Sequence, residues 1–284
     1  MTWVRQGRLR SNRDKGREHL RILGIETTGP YCSAALMDGD DIKEIRGTER
    51  LSHLSSLTGM IGRLLDEAGI SLSDIDHIAV STGPGSYTGI RIGVSTARAL
   101  NQASGVPLIA VPTLFAFGIS EQDAEEEGVT VCPLFNARRN QVYAGAYKDF
   151  CEVVPAGPYM LDEFIGLLGD RDDLLFMGDG VSAYRDQIEK LCEGKVYRLD
   201  ERTQDAAAVC EMAADMLADP DQFGSLTGLS AEDVKPQYMR MAEAEKNLRE
   251  GKLGKGAAGK GSVGKGAAGK GAAGKGSAGK GGAK

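Results

Sequence analysis

The sequence is poor in the residues that build metal sites, disulfide frames and membrane spans. Its three histidines, His19, His53 and His77, include no pair four residues apart, so the chain offers no two imidazoles on one helix face. Cys32, Cys132, Cys151, Cys192 and Cys210 form an odd, scattered set without a Cys-x-x-Cys. They fit inert reduced thiols rather than a disulfide frame or a zinc ribbon. No run approaches the roughly 20 apolar residues that a membrane helix needs. The first 21 residues also lack the apolar segment of a secretory signal, so a cytoplasmic chain is expected.

Positive charge is scarce along most of the length. Residues 22–250 hold 19 Lys and Arg against 38 Asp and Glu, whereas residues 1–21 hold seven basic against two acidic, and residues 251–284 hold eight Lys and no acid. A body that acidic is a poor direct ligand for nucleic acid, so any phosphate contact falls to the ends or to a partner. The tail uses almost only Gly, Ala, Lys and Ser, with a Gly-Lys step every five residues from Lys255 to Lys280, and has no side chains with which to form a core. Two readings of it stand side by side: spaced phosphate contacts, or a solubilising tether. The expected organisation is a basic extension over 1–21, an N-terminal lobe over 22–122 and a C-terminal lobe over 123–240 whose last helix packs back on the first lobe. A Gly/Ala/Lys-rich tail follows over 241–284.

What the middle contains is alternation of two periods. Ile22 to Ile25 and Cys32 to Met37 read as a hairpin, with a third strand near 42–45 after an Asp-Gly turn. Leu54, Leu57, Ile61, Leu64 and Ala68 step by three and four, which predicts a helix ending at Gly69. Ile78-Ala79-Val80 reads as a buried strand, and a helix then runs to Ser104, closed by Gly105 and Pro107. Strands are expected at 106–111, 129–135, 141–147 and 174–177, and helices at 161–168, 182–192 and 204–217. Two successive lobes of strands and helices predict an α/β protein with mixed sheets.

Two features carry chemistry or recognition. Gly83-Pro84-Gly85-Ser86-Tyr87-Thr88-Gly89 precedes a helix, where backbone N–H groups can cradle an anion. It has neither Gly-Lys-Ser/Thr nor Gly-x-Gly-x-x-Gly spacing, so it reads first as a tight turn. Along the helix, Gly89, Gly93 and Ala97 recur every four residues, flanked by Ile90 and Val94, a ridge along which another backbone can come close. With Leu54, Leu57, Ile61 and Leu64 it describes two helices able to pair with two more between subunits. Burial in the chain's own core fits the same spacing.

Several blocks resemble the TsaB (YeaZ) family. They are Ile22-Leu23-Gly24-Ile25-Glu26-Thr27-Thr28, Glu49-Arg50-Leu51-Ser52-His53, the glycine block running on to Ile90-Arg91-Ile92-Gly93, and Gly105-Val106-Pro107-Leu108. Ala137-Arg138-Arg139 with Val142-Tyr143, Gly178-Asp179-Gly180 and Pro236-x-Tyr238-Met239-Arg240 complete the set. The resemblance implies the duplicated lobes of the actin, sugar-kinase and Hsp70 superfamily. It also implies a non-catalytic subunit that pairs with the transferase TsaD, joined by the ATPase TsaE, in making threonylcarbamoyladenosine beside the tRNA anticodon. A homodimer through the same helices is expected of the chain alone, with no cofactor of its own. TsaD holds its metal through two histidines, and the corresponding positions here are Thr113 and Phe117. Where TsaD has an acidic residue after the first strand, this chain has Gly29-Pro30-Tyr31. Glu26, Thr27, Gly83, Gly85 and Ser86 then read as a vestigial ligand loop. The alternative is an enzyme acting alone, a kinase-like ATPase or a peptidase, with Glu26 as its nearest metal-organising carboxylate.

Overall fold

Strand β1 (Arg21–Glu26) pairs antiparallel with β2 (Ser33–Asp38), and β2 with β3 (Asp41–Arg46) across the Asp-Gly turn. Helix α1 (His53–Ala68) crosses to β4 (His77–Gly83), which lies parallel to β1, and α2 (Tyr87–Ser104) crosses to β5 (Leu108–Pro112), parallel to β4. Gly105, at φ 77°, takes the left-handed cap that ends α2. This computed structural model describes residues 19–48, 53–120, 128–149 and 151–239, all within the first of two units, Met1–Met241. The expectations for residues 1–18, the motif residues 49–52 and the Lys-rich tail lie outside the described residues.

Helix α3 (Thr113–Ser120) leads into the second sheet. It is made of β6 (Thr130–Asn136), β7 (Gln141–Lys148), β8 (Cys151–Met160), β9 (Leu174–Met177) and β10 (Tyr197–Asp200), with α4 (Leu161–Leu167) and α5 (Asp179–Leu191) as its crossovers. The sheet orders are β3-β2-β1-β4-β5 and β10-β9-β6-β7-β8. Read from its other edge, the second repeats the first: a three-stranded antiparallel meander with two parallel strands added beside its first strand. The expected fold, two like-ordered mixed sheets flanked by helices, is the observed one.

Both faces of the first sheet are covered. Leu23, Ile25, Ile78 and Val80 face α1 and α2, while Ile22, Ala79, Ile109 and Val111 face α3 and α6 (Ala206–Ala218). Gly24 makes the second contact close: a Cβ there would lie 2.6 Å from both the Ala206 carbonyl oxygen and Cys210 Sγ. The chain after α7 (Pro220–Phe223) also belongs to the first lobe. Leu229 bridges to Leu108, Val234 is buried in the first-lobe core, and the Gln237 N–H donates to Thr82 O at 2.7 Å. Packing therefore does not follow the linear division at residue 122. Helix α3 serves both lobes, with Phe115 and Ile119 in one core and Leu114 and Phe117 in the other. Among the described residues no helix is long and apolar enough to cross a membrane.

Candidate functional site

The end of β1, the loop after β4 and the first turns of α2 converge on one place. Glu26, 1% exposed, closes β1 with its carboxylate turned inward. Its Oε1 accepts from Thr28 Oγ1 at 2.6 Å and from the Thr28 backbone N–H, and its Oε2 accepts from Ser81 Oγ. Burial raises the Glu26 pKa above the usual carboxylate range; the hydrogen bonds from Ser81 and Thr28 oppose that rise, and nearby Asp205 adds to it. The carboxylate is thus engaged by three donors of its own chain.

Thr27 and the α2 backbone touch directly. Thr27 Oγ1 donates to the Gly89 carbonyl at 2.7 Å, a Cβ on Gly89 would lie 1.8 Å from Thr27 O, and one on Gly93 would lie 2.4 Å from Thr27 Oγ1. The space left by the missing side chains is filled by the strand end. The loop before the helix is bound the same way. Ser86 N–H donates to Thr28 O at 2.7 Å, and a Cβ on Gly85 would sit 2.5 Å from that oxygen. Gly83, at φ 119°, donates its N–H to Thr113 Oγ1 at 3.1 Å. Ser86 caps α2 by accepting from Gly89 N at 3.2 Å. Three N–H groups of the loop are therefore used within the chain, which favours the tight-turn reading over an anion cradle. Thr113, at one of the two positions matched to metal ligands, is buried and bonded to Gly83. Phe117, at the other, packs on Phe135 at 5.7 Å between ring centres. Among the described residues no three His, Cys, Asp or Glu side chains converge as a metal site.

The pairing residues expected from the helical stripes do not face outward. Leu57, Ile61 and Leu64 on α1, and Gly89, Ile90, Gly93, Val94 and Ala97 on α2, are all buried in this chain alone. The apolar ones fill the core beneath β1 and β4, where each Leu, Ile and Val contributes about 1.5–3 kcal/mol by leaving water. The Leu54 side chain lies outside the described residues. This corrects the assignment of the ridge: the same spacing that suits a partner helix suits the chain's own sheet, and Thr27 occupies the groove. The outward faces are different. Helix α1 exposes Thr58, Gly59, Gly62, Arg63 and Asp66, and α2 exposes Thr88, Ser95 and Ala99. A Cβ on Gly59 or Gly62 would meet nothing within 4 Å. Sequence reasoning passed over this pair because it followed the apolar stripe, although two glycines three apart on the polar side of a helix are themselves a signal.

Sequence reasoning also missed what seats the second lobe on the first. The Ala206 N–H donates to Ser33 Oγ at 2.9 Å and to Glu44 Oε1 at 2.8 Å, and Arg46 donates to the carbonyls of Thr203 and Gln204 at 3.2 and 3.1 Å. Asp205 caps α6 through Ala208 N at 2.8 Å, and burial raises its pKa. None of these residues stands in a motif.

The family model described as "TsaD: tRNA N6-adenosine threonylcarbamoyltransferase" matches residues 49–248. The "tRNA threonylcarbamoyladenosine biosynthesis protein TsaB" of Bacillus subtilis is 30% identical over 232 residues, which is 80% of this chain and 96% of that protein. The chain belongs to the TsaB family. The TsaB protein of Haemophilus influenzae is 24% identical, over 81% of this chain and 98% of its own length. Among solved structures, YeaZ from Pseudomonas aeruginosa shares 26% identity and superposes with a TM-score of 0.64, covering 77% of this chain and 99% of that one.

Proposed function

We propose that this chain acts in threonylcarbamoyladenosine modification of tRNA as a non-catalytic subunit, supporting a TsaD-type transferase that carries the chemistry. The names of its relatives support the process, and the chemistry of the first hairpin supports the role. The single observation that carries the reading is the state of Glu26, the carboxylate that closes the first strand, whose oxygens are taken up by Thr28 and Ser81 inside the core. Docking uses the outward faces of α1 and α2, where Gly59, Gly62, Ser95 and Ala99 leave room for a partner helix to approach. A TsaE-type ATPase joins the pair, tRNA is met through the assembly in the cytoplasm, and the same helices self-pair when the chain is alone.

The test is a bulky side chain on the open face. Gly62→Leu has space within the chain, so it folds as the parent does, and it is expected to stop co-elution with the transferase and to abolish threonylcarbamoyl transfer by the reconstituted mixture. Unchanged co-elution would reject the α1 face. Titration of the chain alone with Mg-ATP checks the role itself: micromolar binding with turnover would favour an enzyme acting by itself.

A further inference from the structure

The outward stripe of α2 begins in an aromatic cluster that the core does not use. Thr88, Arg91, Ser95 and Ala99 are exposed and step by three and four, so they share the face on which docking is proposed above. At its start Tyr87 stacks on Tyr238 with ring centres 4.7 Å apart at an interplanar angle of 30°, and the Arg91 guanidinium sits 4.4 Å from the Tyr87 ring centre. Arg91 Nε donates to Tyr238 Oη at 3.1 Å. The two tyrosines remain 38% and 40% exposed, among the few large hydrophobic side chains left open to solvent. The segment carrying Tyr238 is fastened along the helix. Arg98 donates to the Ala231 carbonyl, the Ala231 N–H donates to Asn101 Oδ1 at 2.9 Å, Val234 is buried, and the Gln237 N–H donates to Thr82 O at 2.7 Å. Two rings and a guanidinium from distant parts of the chain are thus fixed before a partner arrives, which lowers the ordering cost of using them.

Tyrosine and arginine are the side chains over-represented where protein interfaces hold most of their binding energy. Arg91 spends its Nε on Tyr238 and the face of its guanidinium on Tyr87, which leaves the two Nη groups; among the described residues no carboxylate pairs with them. The spacing of those two groups matches the two oxygens of a carboxylate, and a segment that covers the rings must bring an acceptor for them or leave a charge unpaired. We propose that Tyr87, Arg91 and Tyr238 anchor the transferase-type partner, taking an apolar side chain of that partner over the stacked rings and a neighbouring Asp or Glu on Arg91. The inference rests on the docking reading above. To the small residues of α1 and α2, which only leave room, it adds the groups that select what fills it.

The test is calorimetric titration of the full chain with the purified transferase. Tyr87→Ala/Tyr238→Ala is expected to weaken binding about thirtyfold, the scale of an interface hot spot. Tyr87→Phe/Tyr238→Phe keeps the rings and is expected to stay within about threefold of the parent. Because it also lacks the Arg91–Tyr238 hydrogen bond, it separates a lost anchor from a loosened segment. Arg91→Gln should weaken binding about tenfold and Arg91→Glu about a hundredfold, with slower association in both. Parent-like binding by the alanine pair or by Arg91→Glu overturns the anchor, as does an equal loss in the phenylalanine pair. If the cluster variants alter only self-association of the chain, read by sedimentation, the cluster is a contact between copies and the proposal falls. Lost binding in Gly62→Leu with full binding by the cluster variants removes the anchor and keeps the docking face, whereas a parent chain that does not bind the transferase removes both.

Discussion

Thr27 and Gly89 meet backbone to backbone: the Thr27 hydroxyl donates to the Gly89 carbonyl at 2.7 Å, and the Thr27 carbonyl oxygen occupies the place a Gly89 side chain would take. This contact locks the helix start to the strand end. It also explains a glycine that costs the helix about 0.5–1 kcal/mol relative to alanine.

Two glycines on neighbouring helices should therefore respond oppositely to the same change. Gly89→Ala forces backbone apart from backbone and is expected to destabilise the chain by about 3 kcal/mol, as overpacking of a fitted contact does. Gly62→Ala, in open space on α1, should be neutral or stabilising by up to about 1 kcal/mol through helix propensity. Urea denaturation of the two variants beside the parent measures both signs.

This pair also shows how far the sequence could be read. The helices, the hairpin, the repeated lobes and the glycine block were legible because period and punctuation agree there, as at Gly105 after Ser104. Helix α3 was not: Thr113 to Ser120 is apolar on nearly every side, since it is packed between both lobes, so it has no polar face to set a period. Strand β8 was obscured by Pro155, Gly157 and Pro158, which its place at the edge of the sheet tolerates. At the site, spacing identified which residues of α1 and α2 share a face but not what that face meets. Only the position of Thr27 decides it.

Glu26 gives a dependence on pH. Its folded pKa is raised, so between the ordinary carboxylate value of about 4.3 and its own higher value the folded chain holds a proton that the unfolded chain has lost. Stability from this group is then full below the unfolded pKa and declines as pH rises through the folded one. Removing the ionisable group in Glu26→Gln should remove that part of the decline. Subtracting the variant's unfolding free energy from the parent's across pH 4 to 8 should give a difference that falls with rising pH; a flat or rising difference contradicts the assignment.

The turn between β6 and β7 holds three consecutive residues with left-handed backbone, Arg138 at φ 65°, Arg139 at 55° and Asn140 at 60°. For an arginine that conformation costs about 1–2 kcal/mol, partly offset on replacement by the greater freedom of glycine when unfolded. Arg138→Gly is expected to raise the unfolding free energy by about 0.5–1 kcal/mol in a thermal or urea melt.

The thiols should differ in reactivity by position. Cys32, Cys132, Cys192 and Cys210 are buried, and burial pushes the Cys132 and Cys210 thiols far above the usual range, whereas Cys151 is partly exposed on β8. In the native chain a disulfide reagent should modify Cys151 first, and Cys132 and Cys210 only at the rate of unfolding. Peptide mapping after timed labelling reads the order directly.

The return of α6 and the segment through Gln237 to the first sheet sets an order of assembly. That sheet is synthesised first, yet the face carrying Ile22, Ala79 and Ile109 waits for a cover translated some hundred residues later. A nascent chain stalled before residue 206 would hold a finished set of strands with one side covered by α3 alone and the place of α6 still wet, so the opening lobe cannot mature until the closing one has been made.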